Sequence, residues 1–497
     1  MQIYKEFITA KNGSQIPVFL NGKTMESRYN PEREAESLYN SINEKYNFFL
    51  VLGIGSGTFI NLLSQKNPFA KIIALELYQD DINFLLQNEN LNKLSKNPLI
   101  SLCSLESLEQ TLIQNYLPAK YGNLKIIEQR AWVNENSAFT VKINSILTKT
   151  LGIISADFSV QSHFGKIWTS NIINNSRLAQ NYSPSNKLES ILKENNKTAL
   201  VVAAGPSLDD TLEFFKKETS DKYYIISTDT AGLALLKRNI IPDLIVSIDA
   251  QSVSYNHFIT NKDCKNTLYA FDLCANSSAA RHLLESGKDL FFFCSGHPLS
   301  SAINESNNFQ LPDFFSGAGT VTITALDIAL KAGFKDILIL GADFSYSKGK
   351  AYTSGTYLDS LYNKVSTKLS ESEQIFSKLM FRTELKETEN KRKTTQILEA
   401  YKFSLEKYLT DKGIAFTKTD DIYKLHCPSN KALFSASNGK AFSLESFISK
   451  IKSMKIDEVE LLLLPYVAWL RNNKGYKNFE YKELLKLALD SIVSYNI

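Results

Sequence analysis

Six short apolar runs, "TALVVAAG", "KYYIISTD", "DLIVSID", "NTLYAFD", "DLFFFCSG" and "DILILGAD", recur between residues 198 and 343, each closed by turn-forming or acidic residues. Their apolar residues are consecutive rather than alternating. That pattern suits strands buried on both faces, as in a mostly parallel sheet with helices on either side. The intervening stretches, such as "TAGLALLKR" and "TITALDIALKAGF", have helical spacing. The chain is therefore expected to contain an α/β domain built from strand–helix repeats.

A second pattern of the same kind lies upstream. "NFFLVLGIGSG" reads as a buried strand entering a glycine turn, "FINLLSQ" as a helix and "AKIIALEL" as the next strand, with "NPLISLCSL" and "LKIIEQRAWV" following. Before it, Asn30, Pro31 and Glu32 have the order of an N-cap, a first helical residue and a first-turn acid. The predicted organisation is a lead-in plus Rossmann-like unit over 1–150 and a helical connector over 151–196, with a linker at Ser183–Asn186. A central Rossmann-like unit follows over 197–357, and a mainly helical region over 358–497, with one late strand expected within 413–426.

At 497 residues the chain exceeds one ordinary hydrophobic core. Its 43% hydrophobic and 22% charged residues and net charge of +4 fit a folded chain and argue against nucleic acid as a partner. Cys103, Cys264, Cys274, Cys294 and Cys427 are scattered, without metal-ligand spacing, so no metal and no disulfide framework is expected. The opening "MQIYKEFITAKNGSQ" lacks the apolar core of a signal peptide. "LLLLPYVAWL" is shorter than the roughly 20 residues that span a bilayer. A cytoplasmic protein without membrane insertion is the expectation.

Ligands of open parallel sheets bind at the carboxyl ends of the strands. Here those ends carry Gly205-Pro206-Ser207, Asp229, Asp249, Asp272, Ser295 and Asp343. A lone Asp in such a place is most often a helix cap, but four strands that end in Asp along one edge make a polar rim. "VVAAGPSLDD" fits either a tight strand–helix connection or a phosphate cradle, since Ser207 can cap while the next amides point forward. No Gly-Lys-Ser/Thr follows, which excludes a Walker loop.

"VVAAGPSLDD", "STDTAGLALLKRNIIPDLIVSIDAQ" and "SGAGTVTITALDIALKAGFKDILILGADFSYSKGKAYTSG" resemble the motility-associated-factor (Maf) family of flagellin glycosyltransferases, and "NGKTMESRYNPEREAE" resembles that family's lead-in. The resemblance runs over about residues 15–360. It implies a central domain similar to bacterial sialyltransferases, and transfer of a CMP-activated nonulosonic acid, of pseudaminic or legionaminic type, onto Ser/Thr of flagellin. It also implies no required cofactor. Gly205, Pro206 and Ser207 match the loop beside the donor nucleotide, which favours the cradle. Asp229 and Gln251 fall near the nucleotide, Ser316, Gly317 and Thr320 match the segment opening a helix against it, and Tyr352 matches a tyrosine on the departing phosphate, with Tyr346 a second. Hydroxyl and amide donors can meet the single charge that develops there.

The family's sialyltransferase relatives use a histidine beyond those tyrosines as base, and "IFSKLMFRTELKETENKRKTT" has none. Asp249, Asp343 and His426 remain as candidate bases, with His257 and His297 as outside candidates. Gly53, Gly55, Gly57 and Glu76 offer a second nucleotide site of dinucleotide or S-adenosylmethionine type, although Leu52 stands where methyltransferases usually carry an acid. Alternatives to the glycosyltransferase are therefore an S-adenosylmethionine-dependent methyltransferase, an enzyme like the hydroxymethylpterin diphosphokinases, which share the central motif, and a non-catalytic flagellin-binding protein.

Overall fold

The computed structural model describes residues 2–180, 185–215, 222–259, 266–306, 311–317, 319–367, 380–381, 383–388, 391–419, 421–427, 443–476 and 479–495. Residues 183–184 of the expected linker, Cys264 and most of "IFSKLMF" lie outside the described residues. The chain forms two compact units, Met1–Gly165 with Leu464–Ala488, and Lys166–Leu463 with Leu489–Ile497. The division falls inside the helix Thr140–Ala179, not at the polar stretch expected to link two domains. Among the described residues no helix is long and apolar enough to cross a membrane.

The first unit opens with an antiparallel hairpin of β1 (Tyr4–Thr9) and β2 (Gln15–Phe19). Four parallel strands follow: β3 (Phe48–Leu52), β4 (Lys71–Glu76), β5 (Ile100–Ser104) and β6 (Leu124–Glu128), in the order β5-β4-β3-β6. This is the Rossmann-like arrangement, with its switch point between β3 and β6. β3 is buried at every position, which is why its sequence shows no alternation. The late segment 464–488 also belongs to this unit. Gly165 meets Pro465 so closely that a Cβ would lie 1.8 Å from the Pro465 carbonyl, and glycine alone permits that approach.

The second unit contains β7 (Thr198–Val202), β8 (Tyr223–Thr228), β9 (Leu244–Ser247), β10 (Leu268–Asp272), β11 (Asp289–Phe293) and β12 (Asp336–Leu340), all parallel. A small ladder of β13 (Lys386–Glu387) and β14 (Lys393–Thr394) lies apart. In place of the single late strand expected, β15 (Phe416–Thr419) and β16 (Ile422–His426) form an antiparallel hairpin that extends the sheet beyond β12. The order β11-β10-β9-β8-β7-β12-β16-β15 puts the switch point between β7 and β12.

Both faces are covered. Ala199 and Val201 pack with Ile323 and Leu326 of the helix Val321–Ala332, whereas Leu200 and Val202 pack with Leu208, Leu212, Ala231 and Leu235. Each such fully buried Val, Leu or Ile side chain contributes about 1.5–3 kcal/mol. The sheet is a rigid platform, and its carboxyl edge carries the polar residues.

Candidate functional site at the carboxyl edge of the second sheet

The loops at this edge are held from below by one helix. Asn171 and Asn175, one turn apart on Thr140–Ala179, donate to the carbonyls of Ala250 and Cys274 (3.1 and 3.0 Å) and of Leu273 and Ala275 (2.9 and 2.8 Å). The Asn171 carbonyl also accepts from the Ser277 hydroxyl at 3.1 Å. These four buried bonds from the two amide nitrogens fix the turns after β9 and β10. The sequence reading passed over them because "NIINN" carries no motif.

At the switch point Gly205 is required for approach. A Cβ there would lie 2.4 Å from the Gly341 carbonyl and 2.7 Å from the Asp343 carboxyl carbon. Pro206 leads into Ser207, whose amide donates to Asp343 Oδ2 at 2.7 Å and whose hydroxyl donates to Asp343 Oδ1. The turn into the helix Leu208–Phe215 is thus closed by a carboxylate of the chain itself, and Ser207 has its donors engaged. Asp343 is buried, and burial pushes its carboxyl up despite both bonds.

Asp229 is a first-turn residue, while the cap of its helix Asp229–Leu236 is Thr228. The buried Asp229 carboxylate accepts from the Thr230 amide and the Ser247 hydroxyl, both at 2.7 Å, and so ties β8 to β9. Asp249 is different. Half-buried at the end of β9, it accepts from the Gln251 amide at 2.9 Å through Oδ1, and burial followed by the neighbouring Asp229 raises its carboxyl. Gln251 itself is exposed beside it. Asp272, at the end of β10, is fully buried, accepts from the Cys274 amide and is pushed up to about 6 by burial.

Ser316, Gly317 and Thr320 come together before the helix Val321–Ala332. Gly317 and Gly319 adopt φ of +57° and +82°, and the Ser316 hydroxyl donates to the Ser295 carbonyl at 3.4 Å. Thr320 occupies the N-cap position but makes no side-chain cap, so this 12-residue helix presents its first turn uncapped at the rim.

A long connection after β12 crosses the same edge. Asp209 pins it by accepting from the Thr353 hydroxyl at 2.5 Å, the Ser354 amide at 3.0 Å, Lys350 at 2.9 Å and Arg238 at 2.6 Å. Burial opposes its charge, but the bonds from Thr353, Lys350 and Ser354 prevail and hold Asp209 at about 2. Tyr346 pairs through its backbone with Lys393, and Tyr352 is 37% exposed. Burial raises the Tyr352 phenol most, and the charges of Tyr346, Tyr362, Tyr401 and Asp229 raise it further. Tyr357, at the start of the helix Tyr357–Val365, packs edge-on to His257 at 4.6 Å; burial, with Tyr352 next, lifts it to about 12. Sequence reasoning singled out Tyr346 and Tyr352 but missed Tyr357, Tyr362 and Tyr401, because aromatics brought together from separate segments leave no local signal.

His426 is not at this edge. It lies opposite Asp336 in the antiparallel β12–β16 register and pairs with it at 2.7 Å. Asp336 begins β12, so the pair sits at the amino end of the parallel strands. The reversal of β16 carries His426 away from the rim.

In the first unit Gly53, Gly55 and Gly57 have φ of +94°, +61° and +83°, as a tight glycine loop requires. The chain itself packs closely against all three glycines. A Cβ at Gly53 would meet Trp132 and Met25, one at Gly55 would meet the Glu26 carboxylate at 2.7 Å, and one at Gly57 would meet Leu91. Glu26 accepts from the Ser56 amide and hydroxyl at 2.9 and 2.7 Å. Glu76, fully buried, accepts from Tyr4, the Ile54 amide and Trp132 at 2.9, 2.9 and 2.6 Å. The anion seat and the ribose acid are both satisfied by the chain.

Comparison with known proteins bears on both the chain and this edge. Two proteins of Treponema pallidum (strain Nichols), each described only as an uncharacterized protein, are 36% identical over 155 residues and 30% identical over 228 residues. These matches span 31% and 45% of this chain and 71% and 75% of the relatives. The chain belongs to their family. A family model described as "6-hydroxymethylpterin diphosphokinase MptE-like" matches residues 170–349, the segment that builds the rim from Asn171 to the turn after β12. Among solved structures, a MAf glycosyltransferase from Magnetospirillum magneticum AMB-1 is similar at a TM-score of 0.47 and 12% identity, over 99% of this chain and 91% of that one.

Proposed function

We propose that the second unit is the transfer domain of a glycosyltransferase that moves a CMP-activated nonulosonic acid onto Ser/Thr of flagellin in the cytoplasm. The observation that carries this reading is the uncapped start of the helix Val321–Ala332 behind Ser316, Gly317 and Thr320, on the edge that also gathers Tyr346 and Tyr352. A helix start without a side-chain cap, with hydroxyls beside it, favours a phosphate there. The motif resemblance to the Maf family supports the choice of sugar donor and acceptor.

In the reaction the bond between the anomeric carbon and the phosphate oxygen breaks, and its electron pair leaves with CMP. Thr320, Ser316 and the first-turn amides stabilise that charge, and the Tyr352 hydroxyl donates to it. The acceptor oxygen bonds to the anomeric carbon, and Asp249 takes its proton. Among the three candidate bases Asp249 alone combines a place on the rim with partial exposure, since Asp343 is engaged by Ser207 and His426 lies at the other end of the sheet. Gly205, Pro206 and Ser207 shape the switch point, and Asp229 and Gln251 flank the base.

A second reading, transfer of diphosphate to a hydroxymethylpterin, is favoured by the family model over residues 170–349. Incubation with CMP-nonulosonate and flagellin, read by intact mass, tests the first; hydroxymethylpterin with ATP tests the second. A mass gain on flagellin supports the proposal, and pterin diphosphate without any glycosylation replaces it.

A further inference from the structure

Beside the Ser316–Thr320 turn lies a cavity of about 380 Å³, lined by Ser295, Ser301, Glu305, Asp313, Phe315 and Lys331 among others. It is within the usual range of small-ligand pockets, toward the small end. It adjoins the rim directly, because Phe315 precedes Ser316 and Ser316 donates to the carbonyl of Ser295.

Phe315 is a prepared platform. Its ring stacks on Tyr408 at 5.0 Å with planes 10° apart, yet 48% of the residue stays exposed. Asp327 fixes both partners, accepting from the Phe315 amide at 2.7 Å and from the Tyr408 hydroxyl. An aromatic held this rigidly with a free surface suits a flat heterocycle.

The charged lining is one-sided. Glu305 and Asp313 bring carboxylates to the mouth, whereas Lys331 is engaged with Asp327 and with the Asp313 carbonyl, both at 2.8 Å. The charged lining is therefore net acidic, with the hydroxyls of Ser295 and Ser301 able to donate or accept beside it. A carboxylate accepts from the exocyclic amine of cytosine but repels the carbonyl that uracil places there.

We propose that this cavity is a base-recognition pocket that selects nucleotides whose base carries an exocyclic amine, with Phe315 as the stacking face and Glu305 and Asp313 as the acceptors. The inference rests on the reading of the rim as a nucleotide-phosphate site. It divides the ligand by polarity: amide and hydroxyl donors take the phosphate, and carboxylates take the amine.

The test is calorimetry on the full chain with CMP and UMP, for the wild type, Glu305→Gln, Asp313→Asn and Phe315→Leu. Both acids are exposed, so their neutral variants should fold, and circular dichroism verifies this. CMP is expected to bind at least about tenfold tighter than UMP, a difference of about 1.4 kcal/mol. One or both acid variants should lose about that factor for CMP and leave UMP unchanged, while Phe315→Leu weakens both nucleotides. Equal binding of CMP and UMP by the wild type, with neither acid variant altering the ratio, overturns the pocket and leaves the rim reading standing. Failure of the folded chain to bind either nucleotide overturns both.

Discussion

The Ser207 amide donates to the Asp343 carboxylate at 2.7 Å, and the Ser207 hydroxyl donates to its other oxygen, so β7 and β12 are stapled at the switch point of the second sheet. A buried acid spent in this way is a structural group. Asp343→Asn leaves a Ser207 donor without its acceptor and should cost about 1–3 kcal/mol of stability while turnover falls less than about tenfold. Asp249→Asn should show the reverse, an unchanged melting temperature with turnover lowered about 10²-fold or more. Transfer rates and melting curves for the two variants decide between these roles, and an exchange of the two phenotypes would move the base to Asp343.

The uncapped helix start makes a second prediction. Thr320→Val, Ser316→Ala and Tyr352→Phe each remove one donor from the proposed phosphate seat without opening a core cavity. Loss of one donor to developing charge typically costs about 10²–10³ in kcat, and partial overlap between neighbouring donors would lower this. Normal turnover in all three would mean that the phosphate sits elsewhere.

Much of this edge was legible in the sequence, and particular residues show why the rest was not. Consecutive apolar residues in "TALVV" and "YYIIST" announce strands covered on both faces, and the acids that close four of the six runs announce the rim. Asp249 follows from that local pattern, whereas the Ser316–Thr320 turn was singled out by the family resemblance. Nothing local reveals that Glu26, in a segment read as a preface, lies against Ser56, or that Asp343 lies against Ser207, 136 residues away. His426 was misplaced for a related reason: periodicity marks a strand but not its direction, and an antiparallel partner reverses which end of the sheet a residue reaches.

Asp209 ties down the connection that carries Tyr346 and Tyr352, and its carboxyl is depressed to about 2. A depressed folded value stabilises the protein above the ordinary carboxylate range near 4, and that contribution disappears as pH falls through about 2. Asp209→Asn should loosen residues 346–356. The expected outcome is a raised KM for the donor and faster cleavage after Lys348 or Lys350 by a lysine-specific protease, with the rest of the chain intact. Cleavage at the wild-type rate would show that the ion pairs do not hold the segment.

The glycine loop of the first unit should not bind S-adenosylmethionine. Trp132, Met25 and Glu26 pack against the glycines, Glu26 takes both Ser56 donors, and Glu76 already accepts three hydrogen bonds. A ligand at about 100 times its Kd stabilises by about 2.7 kcal/mol, so a thermal shift of several degrees would be easily seen. None is expected with S-adenosylmethionine or NAD, and a saturable shift would revive the methyltransferase.

Glu26 and Glu76 contribute to the pH dependence of the first unit's stability. Burial drives both carboxyls up from 4.5 to about 7, against the opposing bonds from Ser56 in one case and from Ile54, Trp132 and Tyr4 in the other. Between those values the unfolded chain has released its protons while the folded chain retains them, so stability declines as pH rises from about 4.5 to 7 and levels off above. The loss is on the order of 3 kcal/mol for each fully buried carboxyl. Glu26→Gln keeps an oxygen for the two Ser56 donors and removes one titration. Its melting temperature should match the wild type near about pH 5 and exceed it near about pH 8. A variant less stable than the wild type at the higher pH would show that the Glu26 charge holds the loop together.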